Sequence, residues 1–524
     1  MPSLLRGPQG LIITVALAAA GAVVAAGVLF TSSRASNVNL TSAGLAPADA
    51  GVYVALNTDL ASSQWVEAFK LSERLGAENP EDELKDGAEE SGLDWDDDIA
   101  PFLGGNAAIY VKGLDIDSVS ASGAVILRAK DAKRAMDVIE DEMGSFDEEK
   151  YHGVEYLSLG FDGYVARIDD HLVIAFDEES IEEVIDVHQG RTPSLASVDD
   201  FKRLRDELTG NFLAFVYVDA SSLFGDFLMD DPALKVALEQ SGASDMVMRP
   251  AAWVIGAKAG GFEFQAASIG DGGKVSRMIE PRTTRFAALV PGETAIFFST
   301  TGIAQTWESM LDESRDEIDQ ALRESSPYDS LDEMLEEAGA ELGIESIEDL
   351  IALLEGETAV AAWFPRGNTD EPEVVVLAEV NESVARPVIE QIIREGAAGP
   401  VTRSRIGNVD MTVAEDEDGE PLAYAFKDGY LAIGTPGAVE GVLKMGSGDP
   451  SLAELQRYRD AVAQMPTALG TFGFFNLAAL LRLEEAPGIP EELDAVERAL
   501  GGAIINWVEE RGVVRLSGVV TIEE

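Results

Sequence analysis

Short runs along this chain alternate between apolar and other residues, and longer runs repeat their apolar residues at helical spacing. VYVALN (52–57) has an aliphatic residue at every second position, which is the spacing of a β-strand. GNAAIYV (105–111) and SGAVILRA (122–129) also indicate strands, whereas AKRAMDVIEDEM (132–143) has the spacing of an amphipathic helix. The pattern therefore predicts strands interleaved with helices.

Two pairs of apolar runs are separated by turns short enough to form hairpins. YVARIDDHLVIAF (164–176) contains one pair, and LAYAFKDGYLAIG (422–434) contains another around Asp428-Gly429, a strong signal for a short hairpin loop. Hairpins join antiparallel neighbours, because parallel neighbours need a crossover of a dozen or more residues. We therefore expect an α+β fold, with largely antiparallel sheets and helices packed on one face.

The opening of this pattern is spelled twice. LAPADAGVYVALN (45–57) and LVPGETAIFFSTT (289–301) share a leucine, a proline, a short polar stretch and an apolar run in that order. Further matches follow in the same order, so we expect two homologous repeat domains, 45–272 and 284–524, joined by a linker at 273–283. These matches pair 92–111 with 343–362, 125–140 with 375–390, 170–185 with 428–443, and 194–224 with 451–481.

Pro47 and Pro291 hold the same place in the two copies of the opening phrase. Proline fixes φ and has no N–H to donate, so it suits the residue that comes just before a strand. The phrase is therefore predicted to be a strand-opening signal in each of the two domains.

One apolar run indicates where the protein resides. LIITVALAAAGAVVAAGVLF (11–30) contains no charge and, as a helix, would be about 30 Å long, the thickness of the bilayer hydrocarbon. Arg6 precedes it, which favours a cytoplasmic N-terminus at 1–10 and a juxtamembrane linker at 31–44. We expect a signal anchor, with the bulk of the chain outside the cytoplasm. The alternative is a signal peptide cleaved near Ser33-Arg34-Ala35.

The composition limits the classes of partner that the protein is expected to bind. The chain has 95 acidic and 38 basic residues, a net charge of −57, which repels nucleic acid and also anionic membrane surfaces beyond the anchor. The same charge predicts a diffuse association of cations. Because cysteine is absent, the chain has no disulfide, thiolate metal site or cysteine nucleophile.

The candidates for metal chemistry are weak. DWDDDIAP (94–101) is rich in aspartate, but Ile99 stands where a calcium-binding EF-hand loop needs glycine, so an acidic first helical turn is the better interpretation. The chain has three histidines, His152, His171 and His188, and none has a metal-binding spacing. They align with Gly407, Gly429 and roughly Gly446 of the second repeat, so the fold does not require them.

Two motifs resemble catalytic loops but lack residues that those loops require. GDGGKVS (270–276) has Val275 where a phosphate loop needs serine or threonine, and it falls in the predicted linker. AASIG (266–270) lacks the first glycine of a nucleophile elbow and ends a predicted strand. We therefore assign no catalytic, cofactor-binding or metal-ligating residue and expect no cofactor.

Four features together resemble the bacterial "domain of unknown function 3352" family. They are the N-terminal membrane segment, the opening phrase, the DGYLAIG hairpin (428–434) and the SLA segments that precede a final apolar strand. The second repeat has Phe297 where the opening phrase of the first has Tyr53. The resemblance implies an envelope protein without assigned catalytic residues.

The sequence therefore predicts a non-catalytic, single-pass membrane protein that binds or scaffolds other envelope proteins and contacts the membrane through 11–30. One alternative is a solute- or lipid-binding protein, which would have a large apolar cavity with a few polar groups. The other is a hydrolase, which would hold two close carboxylates with oppositely shifted pKa values in a cleft.

Overall fold

The chain forms two compact units in a computed structural model. Unit 1 comprises Met1–Gly270 together with Glu524, and unit 2 comprises Asp271–Glu523. The structure describes residues 40–75, 85, 95, 100, 103–115, 120–143, 147–159, 163–219, 221–222, 249–269, 284–304, 315, 318–320, 322–323, 327–341, 351, 353–354, 356–365, 371–397, 399–415, 419–446, 448–465, 471–481, 499–510 and 513–523.

Unit 1 is built on an antiparallel sheet. Its described strands lie side by side in the order β4-β5-β6-β7-β3-β2-β1-β8-β9-β10, and each neighbouring pair is antiparallel. The strands are β1 (Val52–Leu56), β2 (Leu103–Asp115), β3 (Ser120–Ala129), β4 (Asp147–Tyr151), β5 (Val154–Ser158), β6 (Tyr164–Ile168), β7 (His171–Ala175), β8 (Ala214–Val218), β9 (Ala251–Lys258) and β10 (Gly261–Ile269).

Unit 2 repeats this arrangement strand for strand. Its described order is β14-β15-β16-β17-β13-β12-β11-β18-β19-β20, again antiparallel throughout. The strands are β11 (Ile296–Thr301), β12 (Glu357–Trp363), β13 (Glu373–Glu379), β14 (Thr402–Ile406), β15 (Val409–Glu415), β16 (Pro421–Lys427), β17 (Tyr430–Gly434), β18 (Thr471–Asn476), β19 (Leu500–Glu510) and β20 (Val513–Ile522). The predicted α+β fold with antiparallel sheets is confirmed.

Helices connect the strands at matching places in the two units. Unit 1 has α1 (Ser63–Arg74), α2 (Ala132–Met143), α3 (Glu178–His188) and α4 (Asp199–Glu207). Unit 2 has α5 (Leu331–Glu341), α6 (Glu382–Gly396), α7 (Pro436–Lys444), α8 (Gln456–Ala463) and α9 (Leu477–Leu481). Short 3-10 turns occur at Leu40–Gly44, Leu195–Ser197, Phe286–Ala288 and Leu452–Glu454.

Helix starts follow the capping residues in the sequence. The side chain of Ser62 accepts a hydrogen bond from the Trp65 N–H, and that of Asp177 accepts one from the Ser180 N–H. Asn381 caps α6 in the same way through the Ser383 N–H. These side chains satisfy N–H groups that have no partner within the first helical turn.

The helices pack on both faces of the sheet, so the prediction of helices on one face was wrong. Alternate residues of one strand serve opposite layers in unit 2. Leu377 on β13 packs with the α7 residues Val439 and Val442, whereas Ala378 packs with the α6 residue Ile389. Both faces of β13 are therefore apolar. In unit 1, β1 is buried at its three central residues and likewise does not alternate.

The doubled proline phrase forms a clasp in each unit. Pro47 lies opposite Ser194 in an isolated antiparallel bridge, and Pro291 lies opposite Ser451. The neighbours make the hydrogen bonds: the Leu195 N–H donates to the Ala46 carbonyl at 2.9 Å and the Ala48 N–H to the Pro193 carbonyl at 3.1 Å. The proline thus occupies a position that needs no donor.

This position differs from the predicted one, because β1 begins only at Val52. A turn intervenes, in which the Ala50 N–H donates to the Pro47 carbonyl at 3.2 Å. Unit 2 repeats the arrangement, with the Leu452 N–H donating to the Val290 carbonyl and the Gly292 N–H to the Pro450 carbonyl. The phrase therefore fastens the opening segment to the 3-10 turn that follows the third or seventh helix.

Aromatic side chains fill the interior of each unit on the clasp side of the sheet. In unit 1 the ring of Phe201 contacts Tyr53, Phe215 and Tyr217 edge-on, at centroid distances of 5.2 to 5.9 Å. In unit 2 Tyr458 takes the place of Phe201 and packs edge-on against Phe474 at 5.1 Å. Such contacts add specific geometry to the burial of large apolar area.

The predicted membrane segment at 11–30 lies outside the described residues. Across the residues that the structure does describe, none of the helices combines the length and the apolar character that a bilayer crossing requires.

Candidate functional site: an acidic contact between a hairpin and a helix

Several residues singled out in the sequence lie outside the described part of the chain. These are the aspartates at 94 and 96–98 and the glycine-rich stretch at 270–276. Ser268 of the AASIG motif is described, and it lies near the end of β10 with its hydroxyl 3.5 Å from the Pro250 carbonyl oxygen. It therefore ends a strand, as predicted.

His171 is buried at the start of β7. Its Nδ1 lies 3.0 Å from Asp170 Oδ1, and the Arg128 Nε donates to the other oxygen of Asp170 at 3.0 Å. Burial lowers the pKa of His171, with the Asp170 charge opposing that shift. Its Nε2 is enclosed and has no hydrogen-bond partner among the described residues. The ring is therefore held in a neutral form within the core.

The other two histidines lie near the C-terminal end of α3. His188 Nδ1 is 3.8 Å from Asp169 Oδ2, and His152 Nε2 is 3.9 Å from Asp186 Oδ1. His152 has a left-handed φ of 46°, matching Gly407 at 61° in unit 2, as the sequence alignment predicts. Within the described residues, no three histidine or carboxylate side chains converge as metal ligands would.

Helix α3 carries a row of carboxylates. Its sequence EESIEEVIDVH places Glu178, Glu182 and Asp186 one turn apart on the same side, and we call these three residues the acidic stripe. The buried side of the helix is formed instead by Ile181 and Ile185. Like charges at this spacing repel one another, so the stripe does not stabilise the helix by itself.

The β4–β5 hairpin faces the acidic stripe with tyrosines and a further carboxylate. The hydroxyl of Tyr156 on β5 lies 3.0 Å from Glu178 Oε1 and 3.2 Å from Glu149 Oε2. A phenol has one proton to donate, so it cannot satisfy both carboxylates at the same time. Two acidic groups from different elements therefore compete for one donor.

The second half of this contact surrounds Asp186. The Tyr151 hydroxyl donates to Asp186 Oδ2 at 3.3 Å, and Arg191 Nε lies 3.6 Å from Oδ1. The His152 ring packs edge-on against Tyr151 at 4.2 Å, and its backbone carbonyl accepts from Gln189 Nε2 at 3.1 Å. Arg191 is a cationic group that this contact places against the acidic stripe.

Electrostatics follow from this crowding. Burial raises the pKa of Glu182, and the negative charges of Glu178 and Asp186 raise it further, while His152 acts in the opposite direction. Burial also raises the pKa of Tyr156, and its two carboxylate partners add to the shift. The arrangement therefore favours proton uptake in its central carboxylate.

Unit 2 has the same contact with different chemistry. Its hairpin β14–β15 packs on α7, and the ladder registers place Met411 where unit 1 has Tyr156, and Ser404 where it has Glu149. Met411 lies in an apolar cluster with Val439 and Leu443. The stripe positions of α7 hold Pro436, Glu440 and Lys444, of which the last two form an ion pair.

Unit 2 also exposes apolar side chains on its sheet. Phe298 on β11 is 37% exposed and packs edge-on against Phe475 of β18, at a centroid distance of 5.3 Å. Val360 lies directly opposite Phe298 on β12 and is 39% exposed. Val54, the residue of unit 1 that corresponds to Phe298, is buried. Contiguous exposed apolar patches occur at interaction surfaces. Single exposed apolar side chains are common on protein surfaces and need no such role.

The sequence reasoning missed the acidic stripe. The spacing of Glu178, Glu182 and Asp186 is visible in the sequence and indicates one helical face. What it does not show is that Glu149 and Tyr156, more than twenty residues earlier, lie against that face. The signal that could have found the site is the unbalanced charge of the face together with a tyrosine-rich hairpin.

The fold defines the class as a mixed α+β protein with antiparallel sheets, repeated in two units. The chain belongs to the family described as "Protein of unknown function (DUF3352)", whose model matches residues 11–505. No curated protein is similar to the chain.

Two solved structures of TP0453 show a weak similarity. The one described as "Structure of crystal form I of TP0453" is 11% identical, with a TM-score of 0.25 over 45% of this chain and 79% of that chain. The structure of crystal form IV is 10% identical, with a TM-score of 0.25 over 43% and 79%. At this TM-score the similarities do not establish a common fold.

Proposed function

We propose that this protein is a single-pass, membrane-anchored extracytoplasmic protein that binds or scaffolds other proteins of the cell envelope without catalysis. The observation that carries the proposal is the start of the family match at residue 11, the first residue of the apolar run. The run is therefore part of what the family shares, and 11–30 has the length and composition of a transmembrane helix.

The repeated architecture supports an origin by tandem duplication. The two units share their strand order, and each has a proline bridge at the same place in its fold. Two domains of one shape on one anchor suit a scaffold, because they offer two related surfaces at a fixed local concentration.

The filled interiors favour recognition at the surface over an enclosed ligand. A solute- or lipid-binding protein would need space between sheet and helices, and in unit 1 that layer is filled by Tyr53, Phe201 and Phe215. In unit 2 the equivalent layer holds Phe297 against Phe472. Side chains in contact at these distances pack this part of the described layer closely.

The topology is tested with protease added to intact spheroplasts. We expect the chain to be digested down to its N-terminal segment, while a cytoplasmic marker protein stays intact. Full protection of the chain in cells whose marker is also protected would contradict the proposal. Digestion only after lysis would place the domains in the cytoplasm.

The choice between a scaffold and a solute carrier is tested on the purified full chain in detergent. Native mass spectrometry should report the mass of the polypeptide with detergent alone, whereas a carrier would retain one lipid or solute at a fixed stoichiometry. Chemical crosslinking in intact cells should then join the chain to particular envelope proteins. A retained ligand would favour the alternative.

A further inference from the structure

The acidic stripe of α3 faces more negative than positive groups. Glu182, at its centre, has Glu178 and Asp186 on its own helix and Arg191 beyond the helix end. The hairpin presents Glu149, Tyr151, His152 and Tyr156. These groups determine the electrostatic potential at Glu182.

Elsewhere on α3, Glu183 and His188 pair with groups of other elements, and Glu179 is exposed. Lys112 lies 2.7 Å from Glu183 and 3.1 Å from Asp49. At the C-terminal end of the helix, His188 lies against Asp169, and beneath it His171 lies beside Asp170 and Arg128. These pairs belong to strands β2, β3 and β7 and to the β6–β7 turn, away from the hairpin side of the helix.

We propose that the contact between the β4–β5 hairpin and α3 is a proton-responsive switch, held closed when Glu182 is protonated and loosened when the acidic stripe is fully ionised. The hairpin is the mobile part, because β4 lies at the end of the described sheet of unit 1 and pairs only with β5 among the described strands. It is joined to α3 by hydrogen bonds from Tyr151 and Tyr156, and to the helix end by the bond from Gln189 to the His152 carbonyl.

The direction of the pH effect follows from linkage. A carboxyl group whose pKa is raised by folding binds its proton more tightly in the closed contact than in the open one. The stabilisation is fully present below the ordinary pKa of glutamate and is lost as the pH rises through the raised pKa of Glu182. The contact should therefore tighten on acidification.

Amide hydrogen exchange of the full chain in detergent tests this directly. Protection factors, corrected for the intrinsic pH dependence of exchange, are compared for β4–β5 and for β14–β15 between about pH 7.5 and about pH 4.5. Protection of β4–β5 should rise relative to β14–β15 on acidification, by up to about tenfold for each unit by which the pKa of Glu182 is raised.

Glu182→Gln removes the titrating charge and should give the hairpin its acid-state protection at both pH values. Glu440→Gln is the matched control, because Glu440 occupies the same helical position in unit 2 and pairs with Lys444. It should leave the response of β4–β5 unchanged. The proposal is overturned if E182Q keeps the wild-type pH response, or if E440Q abolishes it.

Tyr156→Phe provides a second route if E182Q does not fold. Removing the shared hydroxyl leaves Glu149 and Glu178 without their common donor, so repulsion across the contact should increase. The variant should therefore show a larger gain in hairpin protection on acidification than the wild type. An unchanged ratio between the two hairpins at both pH values would also overturn the proposal.

Discussion

The two hairpin–helix contacts differ in chemistry although they occupy the same place in the same strand order. In unit 1 the contact is made by Tyr151 and Tyr156 against carboxylates, whereas in unit 2 it is made by Met411 in an apolar cluster. The fold therefore requires a contact at this place, and it accepts either kind. Since unit 2 shows that carboxylates are not needed for folding, their presence in unit 1 calls for another explanation.

A second pair of equivalent positions, beneath the clasp, also differs in chemistry between the two units. Asn106 in unit 1 accepts a hydrogen bond from Ser42 at 2.7 Å, and the equivalent ladder position of unit 2 holds Glu357. Glu357 is buried and accepts from the Ser299 hydroxyl at 2.9 Å and the Arg285 N–H at 3.2 Å, as well as from the Thr284 hydroxyl. Both units have a buried polar side chain at this ladder position, an amide in unit 1 and a carboxyl group in unit 2.

The largest effect is expected from Met411→Ala. Removing this buried side chain should leave a cavity beneath the β14–β15 hairpin and destabilise unit 2 by about 2–5 kcal/mol. Denaturant unfolding, followed by hydrogen exchange of residues 402–415, measures the loss. Val384→Ala is the control, because Val384 is 56% exposed and its loss should change stability by less than about 0.5 kcal/mol. Equal effects of the two variants would refute the apolar contact.

A smaller effect is expected from Tyr156→Phe. The aromatic ring remains, so the loss of about 1–2 kcal/mol should come from the hydrogen bonds to Glu149 and Glu178 alone. Thermal unfolding of the full chain measures it. The matched variant Tyr424→Phe tests a tyrosine on β16 of unit 2 that also packs against a helix, in the cluster of α6. No loss in Y156F would mean that the hydroxyl contacts do not hold the hairpin.

A still smaller effect is expected from His171→Tyr. Its pH dependence is opposite in direction to that proposed for Glu182. Tyrosine stands at the same ladder position in unit 2, as Tyr430, opposite Glu379 where unit 1 has Arg128. Because burial lowers the pKa of His171, its contribution to stability is fully present above the ordinary histidine pKa and is lost as the pH falls through the lowered value. The variant should lose that acid sensitivity, which melting curves between about pH 7 and about pH 5 would show. A melting temperature with the wild-type pH dependence would contradict this.

The smallest effect is expected from Lys444→Ala. The variant removes the one-turn ion pair with Glu440 on the surface of α7, and such pairs contribute about 0.2–0.5 kcal/mol. High salt should reduce the difference between variant and wild type, and chemical denaturation at low and high ionic strength measures it. A loss above about 1 kcal/mol would show that α7 depends on charge more than the apolar contact suggests.

The sequence predicted the local elements well because their signals are local. Asp428 and Gly429 form the turn of the β16–β17 hairpin with left-handed φ values of 47° and 79°, as short hairpin loops require. The antiparallel arrangement follows from such turns. The layers could not be predicted in this way, because runs such as β13 are apolar on both faces, and a short apolar run does not show how many faces are covered.

The alignment between the two halves agrees with the structure at the β4–β5 and β14–β15 turns and is shifted by one residue at β7 and β17. His152 and Gly407 are equivalent, as predicted, since both adopt the left-handed conformation in the β4–β5 and β14–β15 turns. His171, however, is equivalent to Tyr430 and not to Gly429, because the strand ladders place it one residue later. A one-residue shift moves a side chain to the opposite face of the sheet, so the buried position of His171 could not be read from the alignment.

The position of β1 has a consequence for how each unit is made. β1 pairs with β2 on one side and with β8 on the other, so that Val52 lies opposite both Val111 and Val218. The polypeptide leaves the ribosome from its N-terminus, so β1 waits for a partner that is synthesised near the end of the unit. During that interval one edge of β1 exposes unpaired backbone groups, a known route to aggregation. Contacts of such long sequence separation also slow folding, and a chain interrupted before β8 would therefore be a substrate for chaperones and proteases.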